Sequence, residues 1–328
     1  MDRQRVLSGM QPSGKVHIGN LVGALRNWVN LQERYDCFYF VADWHALTTG
    51  YADPSEIREN TKDLLVNFLA AGLDPEKATI FIQSKVPQHA ELHLLLSMIT
   101  PTGWLERVPS YKEKQQELQD RDLSTYGFLG YPLLQTADII IYRAQYVPVG
   151  VDQVPHLEIS REIARRFNFL YKEVFPEPEA LLTEFPKVPG LDGRKMSKSY
   201  GNAIYLSDPP EVVEQKIRTM MTDPARKRRT DKGDPEQSPV YQLHKVFSSK
   251  EELAEVAEGC VTAGIGCIDC KKILIHNVFA CLEPIWARRA SLLADSDTLI
   301  GAAERGSRKA GQVAEETMVI VRELMGLA

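Results

Sequence analysis

No apolar run in this chain approaches the roughly 18–20 residues needed to cross a bilayer. Its start, Met-Asp-Arg-Gln-Arg-Val-Leu-Ser, carries charge with no long apolar stretch behind it, so neither a membrane span nor a secretory leader is expected. Cysteine is scarce: 5 in 328 residues, an odd count and too few for a disulfide framework. Positive charge is not in excess either. Thirty-nine basic residues stand against 44 acidic ones, a net charge of -5, which argues against a protein coated for non-specific nucleic-acid binding. With only 21 glycines and 19 prolines, collagen-like and low-complexity readings are excluded. A cytoplasmic globular protein is the expectation.

What is present is an ordinary core composition, 44% hydrophobic and 25% charged, over a length that suggests about two domains. The first half alternates short apolar runs with helical patterns. Strands are expected at Arg5–Gly9, Cys37–Ala42, Ala78–Ile82 and Tyr146–Gly150. The Cys37–Ala42 run is apolar on both alternating faces, as in a parallel sheet covered on both sides. Helices are expected at about 18–33, from Asp53-Pro54 onward, at 88–100, 127–143 and 152–166. From Asp208 on the pattern is helical only, with Ile273, Leu274, Asn277, Val278, Cys281, Leu282, Ile285 and Trp286 forming one stripe. The expected fold is α/β: a doubly wound, Rossmann-like parallel sheet in residues 1–200, then an all-helical domain in 201–328 whose last helix packs back on the first domain. In such sheets ligands bind at the carboxyl ends of the strands.

Neither Gly-x-Gly-x-x-Gly nor Gly-x-x-x-x-Gly-Lys-Ser/Thr follows a strand, which removes the main support for dinucleotide dehydrogenases and P-loop enzymes. Instead the first strand runs into Gln11-Pro12-Ser13-Gly14-Lys15-Val16-His17-Ile18-Gly19-Asn20. Glycine lets a base or phosphate approach the backbone, His17 and Asn20 donate hydrogen bonds, and the helix start favours an anion. The same residue types also serve an ordinary turn and cap. A second segment, Lys195-Met196-Ser197-Lys198-Ser199, places two lysines about a serine. They are suited to neutralising a departing pyrophosphate, though a solvated loop has the same composition.

As a pair, the two segments resemble the signatures of class I aminoacyl-tRNA synthetases. Asn20, the lead-in Gly9-Met10-Gln11-Pro12-Ser13-Gly14, and the later stretches Val41–Ala46, Tyr131–Asp138 and Val147–Gln153 resemble the tryptophanyl branch over essentially the whole chain. The resemblance implies ATP, Mg2+, L-tryptophan and tRNA(Trp) as cofactors and partners, and a homodimer. It implies His17, Asn20, Lys195 and Lys198 in catalysis. ATP would be held by these four together with Gln11, Pro12, Ser13, Gly19, Gly150, Val151, Asp152, Val188, Met196, Ser197 and Ser199. Tryptophan would be held by Asp138, Tyr131, Gln135, His45, Val147, Val149 and Gln153.

Asp138 sits among Leu133, Leu134, Ile139, Ile140 and Ile141, where an unpartnered carboxylate is costly. Either it is a helix-surface carboxylate, or it pairs with Arg143, or it accepts a hydrogen bond from a ligand; the resemblance implies the indole N–H. Gln135 and Tyr131 lie one and two turns upstream of it. His45 is expected at the end of the second strand. A tyrosyl-type enzyme, a different adenylate-forming ligase of the same fold, and a catalytically silent tRNA-binding relative are the alternatives.

Two features fall outside these motifs. Arg226-Lys227-Arg228-Arg229 reads as a solvated loop, a nucleic-acid contact, or part of the segment that closes on ATP. Cys260, Cys267 and Cys270 have the spacing of metal-binding thiolates. Some tryptophanyl enzymes carry a four-cysteine iron–sulfur site here. The matching upstream position in this chain is Ser238, so the expected site is incomplete, and Cys281 belongs to the apolar stripe.

Overall fold

The computed structural model describes residues 3–108, 122–150, 153–182 and 188–328. In chain order these form β1 (Arg5–Met10), α1 (Ile18–Asn20), α2 (Arg26–Leu31), β2 (Asp36–Val41), α3 (Asp43–Gly50), α4 (Ile57–Ala71), β3 (Ala78–Ile82), α5 (Gln88–Ser97), α6 (Thr102–Glu106), α7 (Tyr126–Leu129), α8 (Tyr131–Ile141), β4 (Tyr146–Val149), α9 (Val154–Leu170) and β5 (Glu179–Leu182). Helices α10 (Pro210–Thr219), α11 (Pro239–Phe247), α12 (Lys250–Thr262), α13 (Cys267–Ala294) and α14 (Ser296–Leu324) complete the chain.

All strand pairs are parallel, in the order β3-β2-β1-β4-β5. The order reverses between β1 and β4, the crevice where open α/β sheets bind ligands. The strands obey a period of two. Cys37, Tyr39 and Val41 enter one core, whereas Phe38, Phe40 and Ala42 enter the other.

Several expectations need correction. Strand β5 carries no long apolar run, and its residues are exposed or half-buried, so periodicity did not reveal it. Asp53 does not cap a helix: it accepts the Ser55 N–H in a local turn, and α4 starts at Ile57. His45 does not end a strand: it lies on α3, a short helix that follows β2 directly. Between α1 and α2 the helix widens into a π-turn, Leu21–Leu25, a rare form frequent at functional sites.

Helix α14 returns to the sheet and lies along the edge strand β3. Gly306 permits this: a Cβ there would sit 1.8 Å from the Ile80 carbonyl oxygen. Ala303 joins one core and Ala310, Ala314, Met318 and Val321 the other, so the helix covers an edge that would otherwise invite strand pairing. Helix α13 is tied to α4 through Arg289, which bonds Asn67 (2.7 Å) and Asp63 (2.9 Å). No helix among the described residues is long and apolar enough to cross a membrane.

Candidate active site

A cavity of about 370 Å³ opens at the carboxyl ends of β1 and β4. All seven residues expected around the amino acid line it: His45, Tyr131, Gln135, Asp138, Val147, Val149 and Gln153. Gln11 and Gly150 line it too, together with Gly9 and Met10 of the same lead-in segment and with Phe40 and His156, which the motifs did not single out. Gly9 must be glycine, because a Cβ there would come within 2.5 Å of the Phe40 ring.

Asp138 lies in α8 and is 1% exposed. Its partners are not Arg143 but three side chains from elsewhere in the fold. Oδ1 accepts from His89 Nδ1 (2.6 Å) and Gln83 Nε2 (2.8 Å). Oδ2 accepts from His45 Nε2 (2.8 Å) and again from Gln83 (3.0 Å). Burial alone would push the carboxyl up, but the bonds from His45 and His89 outweigh it and hold Asp138 down at about 2. It is an ionised group that only accepts. Behind it, burial keeps the Tyr142 phenol protonated, and that hydroxyl lies 2.7 Å from His89 Nε2. A phenol donating there leaves the imidazole proton on Nδ1, facing Asp138. Four contacts use about all the lone pairs a carboxylate has. Of the donors, only His45 also lines the cavity.

Gln83, His89 and Tyr142 were not legible as site residues. The signal that existed was position: Gln83 follows β3 directly, at the ligand-binding end of the sheet.

The phosphate end is built by the two signature segments. His17 and Asn20 cap α1 reciprocally: the Asn20 N–H donates to His17 Nδ1 (3.3 Å), and the His17 N–H donates to Asn20 Oδ1 (3.1 Å). With Nδ1 accepting, the ring proton sits on Nε2. Burial, then the charges of Lys198 and Lys195, pushes His17 down to about 4, so it is a neutral donor at pH 7. Ile18 N–H bonds the Ile204 carbonyl and Leu206 N–H bonds the Val16 carbonyl, which draws the second segment onto the first. Lys198 Nζ then reaches the Gly14 carbonyl (3.0 Å) and Ser13 Oγ (3.4 Å) across the cleft. Pro12, Val188 and Met196 are buried, while Ser13 and Ser199 are exposed. Gly19 lies beside the His17 ring, where a Cβ would come within 2.9 Å. Ser197 and Ser199 hydroxyls lie 2.8 Å apart. Val151 and Asp152 lie outside the described residues.

The three cysteines also come together, around a separate small pocket lined by Asp223, Arg226 and Ser238. This space, about 20 Å³, holds roughly one water. Burial and the neighbouring thiols push Cys270 up to about 12, and burial also raises Cys260. Among the described residues no group of three or more His, Cys, Asp or Glu has the placement of a metal site. A serine, three thiols and an intruding guanidinium do not fit the common four-thiolate iron–sulfur site. The Arg226–Arg229 run is folded against this pocket: Arg226 bonds the Ile265 and Arg229 carbonyls, and the Lys227 and Arg228 N–H groups bond Asp231.

The chain matches the family described as tRNA synthetases class I (W and Y) over residues 1–283. It is 58% identical to the tryptophan–tRNA ligase of Thermotoga maritima, over 98% of this chain and 99% of that one. It is 46% identical to the tryptophan–tRNA ligase of Deinococcus radiodurans, over 98% of each chain. Among solved structures, tryptophanyl-tRNA synthetase from Campylobacter jejuni, complexed with ADP and tryptophan, superimposes with a TM-score of 0.89 at 35% identity, covering 99% of this chain and 100% of that one.

Proposed function

The chain belongs to the class I tRNA synthetases of the tryptophan and tyrosine group, and from that premise we propose that it joins L-tryptophan to tRNA(Trp) at the expense of ATP. The observation that carries the choice of amino acid is Asp138, an ionised, acceptor-only carboxylate in the cavity wall. An indole N–H supplies the one donor such a group can use, and a site built around a substrate hydrogen bond rejects an analogue lacking it by roughly 10⁴–10⁵. This excludes phenylalanine; a phenol also donates, so Asp138 alone does not separate tryptophan from tyrosine, and the tryptophan–tRNA ligase relatives favour tryptophan. Tyr131, Gln135 and Gln153 surround the amino-acid backbone, and Val147 and Val149 give the apolar wall.

The tryptophan carboxylate attacks the α-phosphorus of ATP, the bond to the β-phosphate oxygen breaks, and pyrophosphate leaves with the electron pair. The nucleophile is already ionised, so no general base is required. Catalysis is positioning and charge stabilisation. His17 donates from Nε2 to a phosphate oxygen, with Asn20 and Gln11 beside it. Lys195 and Lys198 take up the charge growing on the leaving pyrophosphate. Pro12, Ser13, Gly19, Gly150, Val188, Met196, Ser197 and Ser199 enclose the nucleotide, and the resemblance assigns Val151 and Asp152 to the same group. Mg2+ would be held mainly by the triphosphate oxygens, with few protein ligands, and would offset their charge. In the second step the 2′-hydroxyl of the terminal adenosine attacks the acyl carbon and AMP leaves.

The helical region, 201–328, presents the surface for the anticodon, where unpaired bases are read by stacking and edge contacts. The working unit is a homodimer in the cytoplasm. Charging of a tRNA(Trp) transcript with labelled tryptophan, ATP and Mg2+ tests the whole reaction. Aminoacyl-tRNA should form with wild type and fall by about 10²-fold or more in Lys195→Ala, the size expected when one preorganised charge-stabilising group is removed. Wild type without charging activity contradicts the reading.

A further inference from the structure

Asn202 is 3% exposed and lies just beyond the two lysines of the second signature segment. Its side-chain amide is bonded on every side. Oδ1 accepts the Ser197 N–H (2.9 Å), while Nδ2 donates to the Lys195 carbonyl (3.2 Å) and to Asp192 Oδ1 (2.7 Å). Its own carbonyl accepts the Leu191 N–H (2.9 Å). The amide therefore grips the backbone on both sides of Met196, which is itself buried and bonds the Val188 carbonyl. Asp192 is anchored in turn: the Arg194 N–H and guanidinium both reach it, and the Asn202 bond is the largest influence holding its carboxyl below the usual range. The space for this arrangement comes from Gly190, where a Cβ would fall 2.2 Å from Asn202 Nδ2.

We propose that Asn202, braced by Asp192, is a positioning residue for pyrophosphate release: it fixes the Lys195–Ser197 backbone so that Lys195 and Lys198 face the leaving phosphates. It does not line the cavity. The mechanism is geometric. A loop held only at its ends samples many arrangements, and a misplacement of about 1 Å costs about 10²-fold in rate. The proposal rests on the function assigned above.

The test is ATP–pyrophosphate exchange with Asn202→Ala, read as kcat and KM for ATP, beside tryptophan binding by equilibrium dialysis without ATP. The kcat/KM for ATP should fall roughly 10- to 100-fold, the cost of freeing several buried bonded groups. Tryptophan binding should stay within about twofold. Asn202→Asp should show the same loss, because a carboxylate cannot donate to the Lys195 carbonyl and faces Asp192. Adding Asp192→Asn restores a donor between the two positions and should recover about tenfold of that loss. Gly190→Ala, which displaces the amide without altering any of its partners, should reproduce the Asn202→Ala profile. If Asn202→Ala does not fold, Asn202→Ser and the Asp192/Asn202 exchange give the same reading. Unchanged exchange in the variants overturns the proposal, as does a parallel loss of tryptophan binding with no recovery in the double variant. Absence of exchange in wild type would instead overturn the assigned function.

Discussion

Two polar clusters lie in this protein, and they are opposites. Around Asp138 a buried charge meets as many donors as it has lone pairs, and the group stays ionised down to about 2. Around Cys270 burial and the neighbouring thiols outweigh the nearby Arg226 and Lys271 charges, and Cys270 is driven up to about 12. Burial is the leading influence on both carboxyl and thiol; what differs is whether partners offset it. The thiol pocket is lined by Cys260, Cys267 and Cys270 together with Ser238 and Arg226.

Removing Asp138 breaks the contrast most severely. Asp138→Ala leaves His45, His89 and Gln83 with buried donors and nothing to accept them, which should cost about 3–5 kcal/mol of stability and abolish tryptophan-dependent exchange. Urea unfolding and exchange assays check both parts. Restoring the missing corner attacks the contrast from the other side. Ser238→Cys, treated anaerobically with ferric iron, sulfide and excess thiol, which reduces part of the iron, should take up iron and sulfide and gain visible absorption, while wild type should take up neither. A Ser238→Cys protein that stays colourless would show that Ser238 is not the missing ligand position.

Acid sharpens the comparison with a smaller effect. The unfolded chain protonates His17 near 6.5, whereas the folded site resists until about 4, so stability should fall as pH drops through that interval. Asp138 adds a second limb: its contribution is complete above 3.8 and is lost as pH falls toward 2. His17→Asn should flatten part of the first limb and leave the second unchanged, as seen in urea midpoints across pH; His93 and His244, also held low by burial, carry the rest of the first limb. The smallest effect belongs to the cysteines themselves. Cys260→Ala, Cys267→Ala and Cys270→Ala should each cost about 1 kcal/mol or less, the worth of roughly one buried CH₂-sized group, and leave exchange unchanged.

The legible parts of the molecule were those with a period or a motif. Strands β1 to β4 announced themselves by continuous apolar runs, and α13 by its stripe. Strand β5 escaped because a half-exposed edge strand has no such run, and α3 because it begins within one residue of β2. At the site, His17, Asp138 and Lys198 could be picked from the chain, since each sits in a recognisable segment. Gln83, His89, Tyr142 and Asn202 could not. They act through other side chains, and their partners, Asp138 for Gln83 and His89 and the Lys195–Ser197 backbone for Asn202, are set by tertiary packing and not by spacing. The contact of Gly306 with Ile80 is of the same kind: a glycine in a helix says nothing of a strand more than two hundred residues away until the two are packed together.

The central claim is that the Asp138 cavity selects tryptophan for activation by ATP. ATP–pyrophosphate exchange with each of the twenty amino acids in turn tests it directly. Exchange with tryptophan alone is the predicted result; exchange driven by tyrosine, or by none of the twenty, would contradict it.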